Sequence, residues 1–296
     1  MCSTTEFTVA AAASIDPEAF AAELDEVVGR VAGRFPRVET RATMRQFVIG
    51  MTATLPTKNC WTIGEYLGYR DPHVLQHFLS RSSWDDAGAV TDLAGYVRDR
   101  LGHDAVTVVL DETGDLKKGV KTVGVQRQYT GTAGRTENSQ VAVYLGYRTE
   151  LGYTLIDREL YLPESWSQNP ERRAEAGVPA DVEFATKGRL AVAMLERFFA
   201  AGGAAAWLTG DEVYGDCPHL REYAEERELA YVVAIGCNRH LTTATGRTAR
   251  ADELVAALSK GRWHAMAAGD GAKGPRLYDW AWITLADDHD ASPGHR

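Results

Sequence analysis

The chain has 296 residues, with 32 Lys and Arg against 41 Asp and Glu, for a formal net charge of -9. Hydrophobic content of 45% and charged content of 25% exclude a disordered or fibrous polypeptide, and four Cys are too few for a disulfide scaffold. No apolar run reaches the roughly 20 residues of a membrane-spanning helix, no Lys or Arg precedes Arg30 as a signal peptide would require, and the acidic balance argues against a basic nucleic-acid surface.

The first fifteen residues are small and polar, and fraying is expected there. Asp16-Pro17 reads as an N-cap followed by Pro at the first helical position. Phe20, Leu24, Val27, Val28 and Val31 then keep helical spacing up to about Arg34. Residues 41–51 continue as a helix, with Met44, Phe47, Val48 and Met51 on one face. Beyond Pro56, NCWTIGEYLGY (59–69) and DPHVLQHFLSRSSWD (71–85) are two short helices, and residues 88–101 form another. The first hundred residues therefore read as all-helical.

The pattern changes at Ala105. AVTVVLD (105–111) is a near-continuous β-branched run, predicting a central strand that the polar turn DETGD closes. Strands are expected over 121–131, 139–150 and 152–163, with GTAGR turning between the first two, which suggests a meander. Residues 163–179 are a polar excursion. KGRLAVAMLERFFAAG (187–202) is an amphipathic helix closed by Gly202-Gly203. A strand into a loop (204–215), a helix (217–228) and a strand (229–236) complete an α/β sheet of mixed sense. After Gly236 the periodicity weakens. TARADELVAALS fits a short helix, RLYDWAWITLADD one strand at most, and DDHDASPGHR a polar, turn-rich end.

Two carboxylates follow one physical logic. Asp111 ends the run VTVVLD and Asp211 ends AAWLTGD. If those strands are neighbours, the two meet at the C-terminal edge of the sheet, where open α/β sheets place ligands. Close carboxylates repel, and a divalent cation between them relieves the repulsion. Mg²⁺ takes hard oxygen ligands and keeps waters for phosphate chemistry. Two such ions about 4 Å apart can serve the attacking and the leaving oxygen. The alternative is that each Asp caps a strand-to-helix turn, the commoner role for an Asp at that place. Glu112 and Glu212 follow the two Asp, but adjacent strand residues face opposite ways. The Glu residues are helpers, caps or surface groups. Residues 116–136 hold Lys117, Lys118, Lys121, Arg127 and Arg135 and no acidic residue. This is either an approach site for an anion or a solvated loop. Other motifs are weak. TGTAGRT lacks a phosphate-loop frame, there is no GxSxG elbow, and the Cys217/His219 and Cys237/His240 spacings suit zinc poorly. The seven Trp are expected as core or interface anchors.

Long strings carry a resemblance: YLGYRDPHVLQHFLSRSSWD, VLDETGDLKKGVKTVGVQRQYTGTAGRTENSQVAVYLGY, LIDRELYLPESW, GVPADVEFATKG, LTGDEVYG and GAKGPRLYDWAW. Through them the chain resembles the DDE-type transposases of bacterial insertion sequences, in the DDE superfamily endonuclease branch. The resemblance implies a ribonuclease-H-like mixed α/β sheet with flanking helices, preceded by an all-helical N-terminal module. Residues 1–102 would bind DNA ends or dimerise, 103–236 would form an incomplete catalytic core, and 237–296 would begin a β-rich insertion. It implies Asp111 and Asp211 as catalytic residues and ligands of Mg²⁺ or Mn²⁺, acting in phosphodiester hydrolysis and strand transfer at element ends. It implies double-stranded DNA (terminal inverted repeats and target) as partner, a homodimer on DNA, no membrane, and a cytoplasmic, nucleoid-associated location. Lys117, Lys118, Lys121, Arg127 and Arg135 would hold phosphates without reading bases.

The family's third carboxylate, a Glu on a C-terminal helix, matches no segment here. The chain reads as cut off inside the insertion, with one sheet face left uncovered. A non-catalytic DNA-binding or oligomerising remnant, and a carboxylate-pair hydrolase of small substrates, remain the alternatives. The acidic net charge no longer excludes DNA once the local cationic stretch is considered.

Overall fold

A computed structural model describes residues 16–271 and 274–286. The expectations for residues 1–15 and for DDHDASPGHR lie outside the described residues. The chain divides into two compact units, Met1–Gly102 and His103–Arg296.

The described part of the first unit holds five α-helices: α1 (Pro17–Val31), α2 (Val38–Thr52), α3 (Cys60–Tyr66), α4 (His73–Arg81) and α5 (Asp86–Leu101). Their starts are written locally. Asp16 accepts from the Glu18 N–H and Pro17 opens α1. Asn59 and Thr62 form a reciprocal capping box on α3. Asp85 accepts from Gly88 N–H to begin α5. Apolar faces at 3.6 spacing bring Val28, Val31, Phe35, Met44, Phe78 and Ala89 into one core, and Trp84 stacks on Phe35 with ring centroids 5.0 Å apart. Burying each large apolar side chain stabilises this unit by roughly 1.5–3 kcal/mol. Arg34 then ties the segment after α1 to α5, through Asp92 at 2.7 Å and Asp85 at 3.0 Å.

In the second unit, β1 (Thr107–Leu116), β2 (Gln126–Thr130), β3 (Arg135–Thr149), β4 (Gly152–Leu160), β5 (Trp207–Gly210) and β6 (Ala230–Val233) form one mixed sheet. Its order is β2-β3-β1-β5-β6, with β4 also on β3. The fifteen-residue β3 accommodates both: β2 pairs its first part and β4 its later part, both antiparallel. β3 also pairs β1 antiparallel over all ten residues, from Thr107↔Arg148 to Leu116↔Ser139. That ladder corrects one expectation. DETGD does not turn; it stays extended inside β1, because β3 supplies partners to polar residues that propensity alone would release.

Helix α8 (Lys187–Ala200) buries Ala191, Met194, Leu195 and Phe198, and packs on β3 and β4. Val108, Leu110, Val143, Leu145 and Leu208 of the sheet are also fully buried. The polar excursion is ordered as α6 (Glu164–Ser167) and α7 (Pro170–Glu175). Its anchor is Trp166, fully buried, whose Nε1 donates to the Val125 carbonyl at 2.8 Å and whose ring carries the Arg172 guanidinium at 3.7 Å. This fits the expectation of an anchoring Trp, whereas Trp61 and Trp282 are mostly exposed.

After β5 come α9 (Glu212–Gly215) and α10 (Pro218–Glu226). Gly215 lies against the backbone beyond β6: a Cβ there would come within 1.7 Å of the Ala234 carbonyl oxygen, so no other residue permits this approach. Beyond β6, β7 (His240–Thr242) pairs β8 (Thr248–Arg250), α11 (Ala251–Ala256) follows, and β9 (His264–Gly271) pairs β10 (Gly274–Trp280). The sequence reading expects at most one strand near the end and misses β9, whose small residues lack both alternation and β-branching. Cys60, Cys217 and Cys237 are free thiols.

Candidate functional site

β1 and β5 are parallel neighbours, in register from Thr107↔Trp207 to Leu110↔Gly210. β5 stops at Gly210 while β1 continues, so the next residue on each chain is an Asp. Asp111 and Asp211 stand side by side where the seam opens. Asp211 does not extend the strand. It is the N-cap of α9 and its Oδ1 accepts from the Val213 N–H at 2.9 Å. The capping role is thus present, and it leaves further lone pairs on the same carboxylate. Asp111 is exposed within β1, and its Oδ1 accepts from the Glu112 N–H at 2.8 Å. The Asp211 carboxyl is held above the usual carboxylate range, first by burial and then by the charges of Glu112 and Asp111, while the Val213 N–H pulls the other way.

Glu112, one residue on, points to the other side of the strand. Its Oε1 accepts from Lys187 Nζ at 2.5 Å and its Oε2 from the Tyr214 hydroxyl at 2.9 Å. Tyr214 is fully buried. Its phenol is pushed up, first by burial and then by the Glu112 charge, so it stays a donor. Lys187 is the first residue of α8, behind the Thr186 cap. A cation there opposes the helix macrodipole, and Glu112 compensates it. The role of this Glu112–Lys187–Tyr214 group was not read from the sequence. The available signal was Lys187 itself, a positive charge placed where a helix disfavours one. Glu212 sits in the first turn of α9, where a negative charge suits the dipole.

The donor set at the seam fits a hard divalent cation. It offers carboxylate oxygens and a like-charge field that such an ion would relieve. Among the described residues, no group of three or more His, Cys, Asp or Glu side chains is arranged to hold a metal. Mg²⁺ commonly takes one or two carboxylates and completes its shell with water and substrate phosphate.

Residues 30–264 match the family described as DDE superfamily endonuclease. The chain belongs to this family. It is also 29% identical, over 220 residues, to the probable transposase for insertion sequence element IS701 of Microchaete diplosiphon, an alignment covering 74% of this chain and 55% of that protein. The chain thus spans about half the length of that relative. No helix among its described residues is long and apolar enough to cross a membrane.

The cations of residues 116–136 look different in this family member's fold than in its sequence. Lys117 lies 3.8 Å from Asp115, Lys121 pairs with Glu175, and Arg135 with Glu137 at 2.8 Å. The Lys121 ammonium, by hydrogen bond and charge, holds the Glu175 carboxyl below its usual range. Arg127 donates to the Thr136 carbonyl at 3.4 Å, and Lys118 is exposed. A stretch without acidic residues therefore meets carboxylates from elsewhere in the DDE superfamily endonuclease chain.

Proposed function

We propose that this chain is an insertion-sequence transposase that cleaves and joins DNA at element ends, with Asp111 and Asp211 as its catalytic carboxylates and ligands of Mg²⁺ or Mn²⁺. The observation that carries the reading is the parallel register of β1 and β5, which ends at Leu110↔Gly210 and so sets the two Asp together. Antiparallel β3 on one side of β1 and parallel β5 and β6 on the other support a ribonuclease-H-like core over 103–236. Residues 1–102 are then the DNA-end-binding or dimerisation module, and 237–296 a β-rich insertion. The working form is a cytoplasmic homodimer on nucleoid DNA.

When bound, the divalent ion supplies Lewis-acid chemistry at a phosphodiester. The rest falls to the chain's own residues. Asp211 is fixed by the Val213 N–H, so one oxygen is oriented before any ligand arrives. Lys187 and Tyr214 engage both carboxylate oxygens of Glu112, so that part of the negative charge beside the seam is compensated by the chain itself. Lys118 and Arg127, and Lys117, Lys121 and Arg135 on exchanging their carboxylate partners for phosphate, contact backbone phosphates.

The test is nicking of a duplex bearing the inverted repeats that flank the gene, with Mg²⁺ or Mn²⁺. D111N and D211N should each lower the rate by about a hundredfold or more, since even residues behind the ligands contribute 10–100-fold at metal sites. Cleavage that survives both substitutions would overturn the assignment. Binding without cleavage in the wild-type chain would favour the second reading, a non-catalytic DNA-binding protein.

A further inference from the structure

The first unit contains a short helix, a turn and a second short helix whose outer face has no described partner. α3 ends at Tyr66, and the chain reverses through Gly68, which has φ +77, a conformation that favours glycine. α4 then begins at His73, with Asp71 accepting from the His73 N–H at 2.9 Å. Six residues, 67–72, join the two helices, a longer connection than the three or four residues of a helix-turn-helix but of the same kind, two short helices about a Gly-containing turn. Inward, α4 uses only Leu75 and Phe78, with Pro72 buried just before it. Phe78 sits 6.2 Å from Phe35 and 5.8 Å from Phe47, ring to ring. Outward, it exposes His73, Val74, Gln76, His77, Leu79, Ser80 and Arg81.

The charge distribution says what this face meets. Elsewhere in the unit Arg30 is neutralised by Asp99, Arg34 by Asp92, Arg45 by Asp25 and Arg100 by Glu23, Arg41 donates to the Phe35 carbonyl, and Arg37 before α2 is exposed. Arg70 in the turn and Arg81 at the end of α4 are exposed, and among the described residues neither has an acidic partner. α4 itself contains no Asp or Glu. The nearby carboxylates are Asp71, engaged at the helix start, and Glu65 on α3. The face thus offers two free guanidinium groups at its ends and hydrogen-bonding side chains between them, a pattern complementary to a polyanion with readable edges. A helix with its side chains is about 10–12 Å across, which a major groove about 12 Å wide admits.

We infer that α4 is the helix that reads DNA sequence, lying in the major groove with His73, Gln76 and His77 toward base edges and Arg70 and Arg81 on flanking phosphates. Gln offers the paired donor and acceptor that adenine presents in that groove, and Val74 offers contact to a thymine methyl. This rests on the reading of residues 1–102 as a DNA-binding module and identifies which helix does the binding.

The test uses the full chain and a library of random-sequence duplexes, from which the preferred sequence is selected. Affinity is then measured for the selected duplex and a scrambled one over a salt series. Q76A and H77A should each lose about tenfold on the selected duplex and little on the scrambled one. R70Q and R81Q should weaken both duplexes alike, each reducing the salt slope by about one. Melting curves show whether each variant keeps its fold, and Q76E, which repels phosphate without removing bulk, should also abolish selection. Sequence preference unchanged in Q76A and H77A, with salt slopes unchanged in R70Q and R81Q, overturns the role of α4 while leaving DNA binding by the module intact. A wild-type chain that binds no duplex overturns both. Variants that alter self-association instead of DNA binding would assign this face to a second copy of the chain and overturn the inference.

Discussion

Asp211 combines two demands in one carboxylate. As N-cap of α9 it satisfies an orphan N–H. As neighbour of Glu112 and Asp111 it raises the negative potential at the seam. Asn caps a helix as well as Asp does but carries no charge. D211N should therefore keep α9 and remove the repulsion, stabilising the chain at neutral pH by roughly 0.5 kcal/mol, the upper end for a surface position, while abolishing cleavage. The sign of the pH dependence follows from the raised carboxyl. Between the ordinary Asp value and the raised one, the folded chain holds a proton that the unfolded chain has released. This contribution to stability is fully present below the unfolded value and disappears as pH rises through the folded one. Urea titrations of wild type and D211N across the acid range should show a steeper decline in the wild type over that window. Parallel profiles, or a less stable D211N at neutral pH, would contradict this account of the site.

At the scale of elements, α8 is joined to β1 by one ion pair, Lys187–Glu112, with side chains about one fifth exposed (21% and 17%). Removing one partner leaves the other charge poorly solvated. K187M should cost about 3 kcal/mol at most, whereas K187M combined with E112Q should recover much of the loss, as a double-mutant cycle in chemical denaturation would measure. Equal losses in the single and double variants would mean that the pair does not couple the two elements. The same pair marks where sequence reading stopped. The helices and central strands were legible because their apolar spacing is local: Phe20 to Val31 for α1, VTVVL for the buried half of β1. The two Asp were legible because each sits at the end of such a run. What was not legible depended on partners distant in sequence. DETGD is extended only because β3 pairs it, α6 and α7 are ordered by Trp166 reaching Val125, and Lys187 becomes meaningful only beside Glu112, 75 residues away. The acid-free stretch 116–136 likewise has a partner that sequence proximity does not show, since Lys121 meets Glu175, far along the chain.

For the whole molecule, the net charge of -9 is unevenly used. In the first unit Glu23, Asp25, Glu26, Asp85, Asp92 and Asp99 neutralise arginines, whereas at the seam of the second unit acidic residues face one another. The core of Val28, Val31, Phe35, Met44, Phe78 and Ala89 lies wholly in the first unit, and that around Trp166 wholly in the second. Each unit thus carries its own apolar interior, the condition for separate cooperative unfolding. A divalent cation that binds only the folded seam stabilises the unit containing it, by about 2.7 kcal/mol at a hundred times its dissociation constant. Calorimetry with Mg²⁺ or Mn²⁺ should therefore raise one of two transitions, and chelation by EDTA should return it. D111N and D211N should each abolish the shift, and D211N should raise that same transition without metal. If both transitions move together, or the shift persists in D111N and D211N, the cation is binding the general acidic surface, and the paired Asp at the end of β5 are not where it is held.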